Sequence, residues 1–64
     1  MNIFDPMQIE LMRTALTQVA RHVRADSPTQ ALMAERILQS AAKGARSKEE
    51  FEAVAIEAAR SKVA

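Results

Sequence analysis

No cysteine occurs among the 64 residues, so neither a disulfide nor a thiolate metal site can hold this chain together. Tyrosine and tryptophan are missing too, and two phenylalanines are the whole aromatic content. Any core must therefore be built from aliphatic side chains and methionine. Neither sign of charge dominates: nine Lys and Arg stand against eight Asp and Glu, for a net charge of +1. A nucleic-acid module normally carries a clear basic excess. No apolar run approaches the roughly 20 residues that cross a bilayer. The stretch 1–6 also lacks the charged start and apolar core of a secretion signal. These absences lead us to expect a soluble, cytoplasmic protein with no membrane contact; a cysteine-free chain fits a reducing compartment.

What remains is a short chain rich in alanine. Sixty-four residues make one domain, 1–64, near the size at which a single core is marginal. Ordering costs about 1.5 kcal/mol per residue, which buried apolar area offsets almost to zero in so small a chain. With disulfides excluded, close helix packing or self-association must supply the difference. Thirteen alanines favour helix and let helices approach closely.

The polar residues punctuate the chain three times in the same way. Asp5-Pro6-Met7-Gln8, Ser27-Pro28-Thr29-Gln30 and Ser47-Lys48-Glu49-Glu50 all have the form of a capping box. In such a box the first side chain accepts from a free N–H of the opening turn, and the fourth residue reaches back to the cap. Two of the three place Pro at the next position, where its missing N–H costs nothing. The spacing predicts an all-α chain of three helices, at about 6–24, 28–43 and 48–62. Linkers of three or four residues then turn consecutive helices back on each other, giving an up-down-up three-helix bundle. The alternative architecture is a helical hairpin whose third helix packs on a second copy of the chain.

Helical periodicity assigns the faces. In the first helix Ile9, Met12, Leu16, Val19 and Val23 recur at steps of three and four, with Phe4 placed to staple onto Ile9. Arg21, His22 and Arg24 complement the carbonyl end of the dipole. In the second helix Ala34, Ile37, Leu38 and Ala41 form the main stripe, with Met33 at its edge. Gly44, the only glycine, suits the left-handed position that stops this helix. In the third, Phe51, Val54, Ala55 and Ala58 share a face. Glu49, Glu50 and Glu52 lie in its first turns, and Arg60 and Lys62 close it.

Little chemistry survives this assignment. His22 has Asp26 four residues on, but a zinc site needs three or four protein ligands and no second His or Cys exists. Ser27 and Ser47 are explained as caps, and neither has the base and orienting group that activate a nucleophile. Glu49, Glu50, Glu52 and Glu57 could suggest a carboxylate metal site. No Glu precedes His22 by three, however, as a bundle di-metal site requires. A helix-turn-helix over the second and third helices would present Glu49, Glu50 and Glu52 to phosphates, which repel them. Arg13, Arg21, Arg24 and Arg36 form the basic patch of an alternative reading, a small nucleic-acid-binding regulator.

Apolar residues off the main stripes point elsewhere. Met7, Leu11, Leu32, Ile56 and Val63 fall away from the stripe centres, Ile56 and Val63 forming a second line on the third helix with Ala59. Contiguous exposed apolar surface marks an interface.

The runs Leu11-Met12-Arg13-Thr14-Ala15-Leu16 and Met33-Ala34-Glu35-Arg36-Ile37-Leu38, with Ala41-Ala42-Lys43-Gly44, resemble a group of short helical proteins of alphaproteobacteria, especially soil and root-nodule species. The shared features are an early Asp-Pro, a central MAxxIL run and an AAxG helix end, over about residues 5–44. Members of that group often start the third helix with an acidic Asp-Pro, where this chain has Arg46-Ser47-Lys48. The resemblance implies a bacterial, cytoplasmic protein and carries no activity. The sequence thus leads us to expect a non-enzymatic helical interaction module, most simply a homodimer acting through Met7, Leu11, Leu32, Ile56 and Val63. No cofactor, metal or small-molecule ligand is expected, and nucleic acid is disfavoured.

Overall fold

Asp5 opens the first helix as the spacing predicts. Its carboxylate accepts from the Gln8 N–H at 2.7 Å, and Pro6 takes the first helical position. The computed structural model describes residues 5–63, the side chains of 62 and 63 excepted. Within them three helices follow in order: α1 Pro6–Val23, α2 Ser27–Ala42 and α3 Lys48–Val63. The expected staple between Phe4 and Ile9 lies outside the described residues.

The second cap is shifted by one residue. Asp26, not Ser27, caps α2: its carboxylate accepts from Thr29 N–H at 3.0 Å, and Ser27 lies inside the helix. Asp26 has the extended backbone of a cap (φ −77, ψ 175). Its charge is also favoured by the helix dipole, which a neutral hydroxyl is not. Gln30 does not reach back to the cap either; it donates to the Ala25 carbonyl at 2.8 Å. The box at α3 closes fully. Ser47 Oγ accepts from Glu50 N–H at 3.1 Å, while Glu50 Oε1 accepts from the N–H groups of Ser47 and Arg46 at 3.0 and 2.9 Å.

The helix ends are also explicit. Gly44, at φ +115, stops α2 with the paired bonds of a Schellman motif: Ala45 N–H donates to Ser40 O and Gly44 N–H to Ala41 O. α1 also stops on a left-handed residue, without a glycine and with a different bond pattern. Arg24 takes the left-handed conformation (φ 55, ψ 49), and the N–H groups of Arg24 and Ala25 both reach the Ala20 carbonyl.

All three helices pack together, with α3 meeting both others closely and α1 meeting α2 least. The radius of gyration is 11.0 Å, that of a compact chain of this length, about 11 Å. The third helix therefore packs on its own chain, not on a second copy as in the alternative hairpin. Among the described residues Phe51 and Met33 are the large side chains sealed completely, in one core cluster with Met12, Val19 and Ile37. Among the described residues, six of the eleven buried apolar ones are alanines, which bring the helices close.

The buried stripes are rotated from the expected ones. On α1 the core line is Gln8, Met12, Ala15 and Val19, while Ile9 and Val23 are 43% and 40% exposed. On α2 Met33 is the centre of the buried line and not its edge, whereas Leu38 is 49% exposed. On α3 Ala59 joins the core and does not continue a separate surface line from Ile56. The cause is small side chains: Ala15, Ala41, Ala55 and Ala58 let a neighbouring helix sit over them, so the contact line runs along alanines.

Candidate protein interface

Because α1 and α2 meet least, the seam between them is open at the surface. It forms a cleft of about 190 Å³ lined by Ile9, Met12, Leu16, Ala34, Ile37 and Leu38, with Arg13 as its charged member. Met12 and Ile37 make the buried floor; Ile9 and Leu38 stand exposed on the two rims; Leu16 and Ala34 are half-buried between them. The helical geometry explains the placement. Ile9 and Leu16 are one step off the core line of α1, and Ala34 and Leu38 are one step off that of α2. The two helices run side by side in opposite directions, since Ile9 shares this cleft with Leu38 while Leu16 and Ala20 share the next one with Gln30.

The residues singled out for a partner surface are distributed differently. Leu11 and Leu32 are half-buried and packed against the core. Met7 is 72% exposed in the first turn of α1. Ile56 lies in a cleft between α1 and α3 with Gln18, Val19, His22 and Glu52. Val63 belongs to α3, but its side chain is outside the described residues. Sequence reasoning missed Ile9 and Leu38 as surface residues because both fell on an expected core stripe.

The four arginines do not come together: three divide between two seams. Arg13 and Arg21 line clefts along α1 and α2, whereas Arg36 lines the α2–α3 cleft with Lys43, Glu50 and Val54. Arg24 is exposed at the α1 stop. That α2–α3 cleft has a polar lining, with a volume of about 410 Å³ and a hydroxyl, Ser40, on its wall. Its carboxylate is already engaged. The N–H groups of Arg46 and then Ser47, with the Ser47 hydroxyl, hold Glu50 below the ordinary carboxylate range. A carboxylate stabilised in its charged form by two backbone donors is a poor base.

The other titratable candidates have structural surroundings. Asp26 caps α2, and among the described residues no group of three His, Cys, Asp or Glu is placed to hold a metal ion. Lys48 bridges Glu52 at 3.5 Å and donates to Gln18 Oε1 at 3.4 Å, linking the rims of α3 and α1. Gln8 is buried, and its Nε2 donates to the Ala45 carbonyl at 3.3 Å, tying α1 to the α2–α3 linker. No helix of the described residues is long and apolar enough to cross a membrane. Comparison of the chain with protein-family models, curated proteins and solved structures finds no significant match.

Proposed function

We propose that the protein is a non-enzymatic helical interaction module, cytoplasmic in setting, that docks an apolar protein surface on its α1–α2 face. The observation that supports this reading is the cleft itself: Ile9 and Leu38 stand exposed over a floor of Met12 and Ile37, with one charged residue in its lining. Burying apolar area is the main favourable term in protein association, at about 25 cal/mol per Å². The reading moves the working surface from the expected set of Met7, Leu11, Leu32, Ile56 and Val63 to the α1–α2 cleft.

The test is site-specific photo-crosslinking in the native cell. A photoreactive residue replacing Leu38 forms discrete protein adducts, whereas the same residue replacing Glu57, on the exposed side of α3, does not. Absence of protein adducts at position 38, in a chain whose helical signal is unchanged, overturns the reading.

A further inference from the structure

We propose that the occupant of the α1–α2 cleft is a second copy of this chain, placed by a twofold axis along the helices so that α1 of each protomer lies over α2 of the other. The inference rests on the docking role proposed for that face. A twofold interface must be self-complementary, with residue i meeting j and j meeting i. The α1–α2 face has this property. Ile9 and Leu38 mark one end of the cleft. From there α1 rises four residues to Arg13, about 6 Å, and α2 runs three residues the opposite way in sequence to Glu35, about 4.5 Å. Arg13 and Glu35 therefore lie at nearly the same level on adjacent antiparallel helices.

A twofold axis along the bundle keeps each level and exchanges α1 for α2. It sets Ile9 against the partner's Leu38 and Arg13 against the partner's Glu35, and each pairing occurs twice. Both charged residues are exposed, and among the described residues the ion pair formed is Lys48–Glu52, which uses neither. The exposed Ala31 and Ala42 flank Leu38 on the outer side of α2, leaving room for an incoming helix. The energetic need is also present. A core in which six of the eleven buried apolar residues among those described are alanines leaves a chain of this length short of buried area.

Sedimentation equilibrium of the purified chain, from micromolar to about 1 mM, tests the pairing. The expected result is a species of twice the 7.1 kDa chain mass. Leu38→Glu abolishes it, and Arg13→Glu weakens it by about tenfold or more through like-charge contact with Glu35. The double variant Arg13→Glu/Glu35→Arg restores it. Circular dichroism confirms that these surface variants remain helical. A single 7.1 kDa species at the highest concentration overturns the second-copy proposal; adducts at position 38 to a different protein would then still support the docking face. A dimer indifferent to Leu38→Glu and to the charge swap overturns the proposed pairing, while the docking face itself stands or falls on the adducts at position 38.

Discussion

At the scale of single residues, two backbone positions carry opposite predictions. Arg24 and Gly44 both hold positive φ, 55 and 115. Glycine enters that region freely, whereas an L-residue pays about 1–2 kcal/mol because its Cβ crowds the carbonyl. Arg24 has that cost without relief, and its side chain is exposed. Arg24→Gly is therefore expected to stabilise the fold by about 1 kcal/mol, raising Tm by about 4–8 °C. At Gly44 an added Cβ meets no atom within 4 Å, so the space is open and only the backbone objects. Gly44→Ala should destabilise by about 1–2 kcal/mol. Thermal melts of the two variants check both signs, and a stabilised Gly44→Ala would refute the backbone account. The arginine stop also shows what a sequence conceals. A glycine advertises positive φ; an arginine held there by the tight Ala25-Asp26 connection to the next cap does not.

At the scale of the helix, starts were more legible than faces. Capping is local, a matter of three or four consecutive residues, so α1 and α3 begin where Asp5 and Ser47 place them. The α2 start moved by one because Asp26 and Ser27 are both competent caps, and charge favoured Asp26. Faces depend on which neighbour a helix meets, which no single helix encodes. Of the expected line, Met12 and Val19 are buried, but Gln8 and Ala15 complete the core in place of Ile9 and Val23. The packing set Ala15, with Gln8 beside it, against the neighbouring helices, leaving Ile9 and Leu38 to form the cleft. The α3 start carries its own prediction. Glu50 has a lowered pKa because the Arg46 and Ser47 N–H groups and the Ser47 hydroxyl favour its charged form. A group with a depressed folded pKa contributes stability above its unfolded value, about 4.3, and loses it as pH falls through the lower folded value. The wild type should lose Tm as the pH falls below about 4.3, and Glu50→Gln should start lower and show a flatter acid limb. Parallel acid limbs in the two proteins would remove Glu50 from the account.

At the scale of the whole molecule, α3 is the element that the other two share. It packs closely against both, while α1 and α2 meet mainly across the open cleft. Phe51 is the side chain at this junction, fully buried in a core otherwise made of methionine, small aliphatics and alanine. Truncating a buried Phe costs about 3–5 kcal/mol. A 64-residue domain has about 3–10 kcal/mol in total, so Phe51→Ala removes most or all of the stability. The consequence should spread beyond α3. Most of the stability of a protein helix comes from tertiary packing of its apolar face, and the α1–α2 seam is too open to hold a hairpin without its third member. We therefore expect Phe51→Ala to lose helical circular dichroism from all three helices in one transition, and Phe51→Leu, which keeps most of the volume, to stay folded with a lower Tm. A Phe51→Ala protein that retained the signal of α1 and α2 while α3 melted would show that the hairpin is self-sufficient. The cleft between α1 and α2 would then be a finished surface of a stable pair, not the open side of a bundle held together by α3.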